Sequence, residues 1–134
     1  MSQTYRDKVE ELFHGVEERL VRRTADLQRE GGLYMSRNLF IPAENVFWQI
    51  LMHNPGNIPA LVNMGHLSAM KGDFVNAAHY LNRAVTIEPL NAPAHYNLSM
   101  VYQKQGRLAE AQAEMIKFRE AEAVAKQRGG PPVP

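Results

Sequence analysis

The chain has 134 residues with 15 Lys and Arg against 14 Asp and Glu, a formal net charge of +1, and so gives no support to the basic stripe that a nucleic-acid footprint requires. It contains no cysteine, which excludes a disulfide scaffold, thiol chemistry and cysteine-based zinc sites. Its size is that of one domain able to bury a continuous core, and its charged start, MSQTYRDKVEELFHG, holds no apolar run, so we expect neither a signal peptide nor a transmembrane segment and place the protein in the cytoplasm.

Residues 1–21 read as an amphipathic helix. Val9, Leu12, Phe13, Val16 and Leu20 form one stripe, with Glu10, Glu11, Glu17, Glu18, Arg19 and Arg22 on the other faces. Glu18 and Arg22 stand four apart with the polarity that favours an ion pair. With no Pro or turn cluster beyond the stripe, the helix either runs unbroken from about Thr4 to near Asn38 or breaks at Arg22 to Thr24. The polar face mixes both signs, which argues for packing on protein rather than on a membrane surface. The following helices, a second copy of the chain or another protein could each receive it.

Residues 22–57 place Leu27, Gly31 and Tyr34 on one helix face, then Asn38 at a turn, and then Ala43, Phe47, Ile50 and Pro55. The helix expected from Pro42 to Asn54 is richer in apolar residues than packing on its neighbours requires. Val46 and Trp48 flank its buried stripe and are candidates for a second interface. In residues 58–91, Leu61, Met64, Gly65 and Ser68 recur at helical spacing, so one face carries two bulky residues beside a glycine that lets a second helix come close. Lys71-Gly72-Asp73 breaks the helix: Gly72 supplies the left-handed conformation, and Asp73 accepts N–H groups of the next helix. Ala77, Leu81 and Ala84 follow on one face, and Pro89 closes the unit. Residues 92–127 repeat this at a lag of 34, with His95, Leu98-Ser99, Tyr102, Gln105-Gly106-Arg107, Ala111, Met115 and Phe118. The last helix is expected from near Leu108 to about Gln127. Residues 128–134, rich in Gly and Pro, read as an extended tail.

From Gly31 to Asn91 only Arg37, Glu44, Lys71, Asp73, Arg83 and Glu88 carry charge, a depletion that suits an interaction surface. No catalytic constellation stands out. His14, His53, His66, His79 and His95 show no HExxH and no carboxylate at metal-ligand spacing, and Ser68 and Ser99 lack triad partners. No P-loop or GxGxxG is present. We therefore expect no enzyme, no cofactor and no metal.

In its period and its residues the chain resembles the tetratricopeptide repeat family, whose pattern is W-x2-L-G-x2-Y, A-x3-F and a closing P. Leu61 stands for the Trp, Met64-Gly65 for Leu-Gly, Ala77-x3-Leu81 for Ala-x3-Phe, and Ser68 departs from the bulky Tyr, leaving room for a neighbour's side chain. The resemblance implies an all-α, right-handed α-solenoid of antiparallel helix pairs with an extra N-terminal amphipathic helix. Its repeats would be 22–57 (degenerate), 58–91 and 92–127. It also implies a concave groove, lined by the first helix of each pair, that receives an extended peptide or a helix of a partner protein. Transferred to this sequence, the groove set is Val62, Asn63, His66, Ala69 and Met70, then Tyr96, Asn97, Met100, Gln103 and Lys104. Asn63 and Asn97, 34 apart, would bond a ligand's backbone, although an Asn at this place also bonds within such arrays. Members that grip a C-terminal carboxylate use a clamp of Lys, Asn, Asn, Lys and Arg, where this chain has Gln28, Gly32, Asn63, Pro93 and Asn97. A neutral or apolar ligand is the expectation. The leading function is a non-enzymatic protein-binding adaptor. The alternatives are a cytosolic chaperone similar to three-repeat secretion chaperones and a homo-oligomeric scaffold.

Overall fold

Three residues with positive φ set the turns inside the helix pairs: Asn38 at 58°, Gly72 at 80° and Gly106 at 75°. Glycine enters this left-handed region without a Cβ clash, and Asn is among the few other residues that tolerate it. A computed structural model describes residues 2–129; Met1 and the tail from Gly130 onward lie outside the described residues. Its helices are α1 (Ser2–Ser36), α2 (Phe40–His53), α3 (Ile58–Met70), α4 (Phe74–Ile87), α5 (Ala92–Lys104) and α6 (Leu108–Gly129). The chain divides into two compact units, residues 1–46 and 47–134, with the division inside α2.

In the first unit α1 is one helix through Arg22 to Thr24, so of the two alternatives the unbroken one holds. The Thr24 hydroxyl donates to the Leu20 carbonyl at 2.9 Å, which keeps a β-branched polar residue compatible with the helix. Glu18 turns to His14, at 3.2 Å, rather than to Arg22. Asn38 ends the helix with the Leu39 N–H donating back to the Tyr34 carbonyl at 2.8 Å. α2 begins at Phe40, two residues ahead of the expected Pro42, because a proline in the first turn removes only an N–H that would have no partner there. Leu27, Gly31, Ala43 and Val46 are buried. The N-terminal stripe is not: Leu12 and Phe13 are 68% and 67% exposed, Val16 and Leu20 44% and 46%.

In the second unit α3, α4, α5 and α6 pack in succession as two antiparallel helix pairs of a right-handed α-solenoid. Two caps recur 34 residues apart. The Asn57 side chain accepts the Ala60 N–H at 3.0 Å and Asn91 accepts that of Ala94 at 2.9 Å, each with a proline in the first turn. Asp73 caps α4, accepting the Asn76 N–H at 3.3 Å and its side-chain amide at 2.7 Å. The core holds Leu61, Met64 and Leu67 of α3, Ala77, Leu81 and Ala84 of α4, and Leu98, Val101 and Tyr102 of α5. Gly65 faces Leu81 so closely that a Cβ on it would lie 2.5 Å from the leucine Cγ. At the equivalent place in the next pair Ser99 is buried, and its hydroxyl donates to the Ala111 carbonyl at 2.9 Å. α6 runs two residues beyond the expected Gln127 and keeps Ala121 buried past the end of the motif.

Candidate functional site

The buried residues of α3 and α5, Leu61, Met64 and Leu67 and then Leu98 and Tyr102, face the core, which leaves residues on the opposite faces to line a groove. On α3 these are His66, Ala69 and Met70; on α5 they are Tyr96, Asn97, Met100 and Lys104, with Val101 beneath. Phe74 at the start of α4 and the turn residue Gly72 close one end. The groove encloses about 450 Å³. Its walls are mostly apolar; among the lining residues the polar side-chain groups are the His66 imidazole, the Tyr96 hydroxyl, the Asn97 amide and the Lys104 ammonium, and no carboxylate is present. Tyr96 is held from behind by Phe118 of α6, with ring centroids 5.4 Å apart and planes tilted by 56°.

Seven of the residues named from the sequence therefore share this cavity, namely His66, Ala69, Met70, Tyr96, Asn97, Met100 and Lys104, while Gln103 does not line it. Val62 and Asn63 are half-buried one turn earlier on α3 and do not line it. Phe74, Gly72 and Val101 do line it and were not named; their place in the turn and on the core side of α5 gave no polar or bulky signal on the expected face. The two candidates for a second interface part company. Val46 is buried and presents nothing to solvent, while Trp48 is 51% exposed. The sequence could not separate them because both flank the same buried stripe.

Behind the groove lies a buried pair that sequence spacing does not show. His95 and Glu114 are both buried, with Nδ1 and Oε2 2.6 Å apart, and Nε2 lies 2.6 Å from the Pro89 carbonyl oxygen. A carbonyl only accepts, so Nε2 is the nitrogen that donates toward Pro89, and Nδ1 faces the Glu114 carboxylate. Lys117 reaches the other carboxylate oxygen at 3.4 Å. The pair ties α5 to α6 and to the turn before α5. It is one imidazole and one carboxylate, and no group of three potential metal ligands is found among the described residues. Tyr102 is fixed in the same way: Asn82 donates to its hydroxyl at 3.3 Å, and the Arg107 guanidinium lies 4.5 Å from its ring centroid. Arg107 in turn forks onto Glu110, whose hydrogen bonds raise the guanidinium pKa above its ordinary value.

Residues 68–127 match the family model described as tetratricopeptide repeat. Over those residues the chain is similar to tetratricopeptide repeats. Solved structures extend the likeness in fold over about three quarters of the chain. A Thermobaculum terrenum O-GlcNAc transferase mutant superposes with a TM-score of 0.75 at 26% identity, covering 77% of this chain and 20% of that one. The first tetratricopeptide domain of Spaghetti (RPAP3), bound to an HSP90 peptide, superposes with a TM-score of 0.72 at 18% identity, covering 76% of this chain and 81% of that one. Among curated proteins, Protein NPG1 of Arabidopsis thaliana is 32% identical over 90 residues, 63% of this chain. The chain spans only 13% of the length of that relative. No helix among the described residues is long and apolar enough to cross a membrane.

Proposed function

We propose that the chain is a non-enzymatic protein-binding module and that the groove between α3 and α5 holds an extended segment or a helix of a partner. The observation that carries this reading is the groove itself: Met70, Met100 and Tyr96 offer apolar anchors, Asn97 offers one donor and one acceptor, and Lys104 stands at one end. Methionine repacks at small cost and suits a surface that accepts apolar side chains of differing shape. The likeness in fold to the Spaghetti domain supports a peptide as the class of ligand, since that domain is bound to one. The ligand chemistry differs. At the places of the carboxylate clamp this chain has Gln28, Gly32, Asn63, Pro93 and Asn97, so charge-assisted capture of a chain end lacks its cations, and apolar anchoring takes over.

A ligand backbone that leaves water needs partners for its N–H and C=O groups, each worth about 1–3 kcal/mol when lost. Replacing Asn63 and Asn97 together by Ala is expected to weaken partner binding by about 2–4 kcal/mol, with the larger share from Asn97, and to leave the thermal melting point unchanged. Affinity capture followed by calorimetry of the captured partner measures this. Binding that survives the double replacement but is lost in Trp48→Ala moves the functional surface to the side of α2 that carries Trp48.

A further inference from the structure

The groove leaves one large apolar surface without a role. On α1 the stripe of Val9, Leu12, Phe13, Val16 and Leu20 recurs at the spacing by which a helix enters an apolar groove, and its two largest members are about two-thirds exposed. An unpaired stripe of this size is a cost in solubility that a partner removes. The surfaces match in length: from Val9 to Leu20 the stripe spans about 16 Å, and from Tyr96 to Lys104 the α5 wall of the groove spans about 12 Å, at 1.5 Å per helical residue.

Charge bears on the fit as well. Beside the stripe, helical spacing places Glu10 and Glu17 on one flank and Lys8 and Arg19 on the other, so one flank of α1 is acidic. The described residues that line the groove carry Lys104 and no carboxylate. A helix that brings both an apolar face and an acidic flank is complementary to such a site, and charge complementarity of this kind selects a partner and fixes its register.

We propose that the groove of one chain receives the α1 stripe of a second copy, with Phe13 and Val16 seated against Met70, Met100 and Tyr96 and an acidic flank of α1 beside Lys104. This rests on the groove reading above and names its occupant. Because stripe and groove are different surfaces, the contact is heterologous, and every copy offers one of each. The product is a head-to-tail chain or a ring, whose mass grows with concentration, and not a two-fold dimer.

Sedimentation velocity on the full chain, from low micromolar to near-millimolar concentration, tests this with two variants at exposed positions, Phe13→Glu with Val16→Glu, and Met100→Glu. Circular dichroism verifies that both stay folded. The wild type is expected to grow in mass with concentration and each variant alone to stay monomeric. An equimolar mixture of the two is expected to form a one-to-one complex, since one variant keeps its groove and the other its stripe. A synthetic peptide of residues 5–22 should bind the wild type at least tenfold more tightly than it binds Met100→Glu. A wild type that is monomeric at every concentration, including one whose stripe is protected within its own chain, overturns the proposal, as does assembly that persists in the stripe variant or a mixture that forms no complex. If the wild type stays monomeric while a separate partner is held by the wild type and lost by Met100→Glu, self-docking fails and the groove reading stands. If Met100→Glu changes neither assembly nor partner binding, both fail.

Discussion

Gly65 shows how much a single carbon can decide. A Cβ at this position would sit 2.5 Å from Leu81 Cγ and 2.8 Å from its Cδ2, so any side chain here pushes α3 and α4 apart or drives the fully buried Leu81 off its rotamer. Gly65→Ala is therefore expected to lower stability by about 1–3 kcal/mol in denaturant unfolding, although alanine is the better helix former by about 1 kcal/mol. An unchanged unfolding midpoint would remove Gly65 from the close approach. At the equivalent place Ser99 carries a Cβ, and its buried hydroxyl is satisfied by the Ala111 carbonyl, so the same place in the motif is held by packing in one pair and by a hydrogen bond in the next. His95 and Glu114 carry the other residue-scale constraint: each is buried and each bonds the other, so removing one alone leaves a buried polar group without its partner, a larger penalty than losing an ordinary surface bond.

At the scale of elements, the helices begin and end where local chemistry sets them. The sequence Asn-x-Pro-Ala occurs at Asn57 and again at Asn91, and both times the asparagine caps a helix while the proline occupies the first turn. Asn57→Ala and Asn91→Ala are each expected to cost about 1 kcal/mol, seen as a lower midpoint in thermal unfolding with little change in helix content. A midpoint that moves for neither variant would mean that the two prolines hold the helix starts without the caps. Arg83 supports the first of these starts from a distance, donating to the Pro55 carbonyl at 2.8 Å. α1 differs from the other helices. Over its first 21 residues it has local pairs such as His14 with Glu18, and little else, to hold it.

For the molecule as a whole, that contrast predicts an uneven distribution of stability. Amides of α3 to α5, whose apolar faces are buried, should exchange with solvent through near-global opening, while those of residues 5–20 should exchange orders of magnitude faster in the monomer. Equal protection across the two regions, measured by hydrogen–deuterium exchange at low protein concentration, would contradict this. Self-docking of α1 would appear in the same experiment as protection that rises with concentration. The helical content, the turns at Asn38, Gly72 and Gly106 and the buried faces of α3 to α5 were legible in the residues alone, because they follow from backbone preferences and from a spacing of three and four residues that one helix enforces. Only the tertiary structure decided that His95 meets Glu114, that Asn97 lines the groove while Asn63 does not, that Val46 is buried while Trp48 is exposed, and that the α1 stripe is left open. Each of these depends on how far neighbouring helices are rotated and how closely they approach, and residues 19 positions apart on different helices, such as His95 and Glu114, leave no trace of that in their spacing.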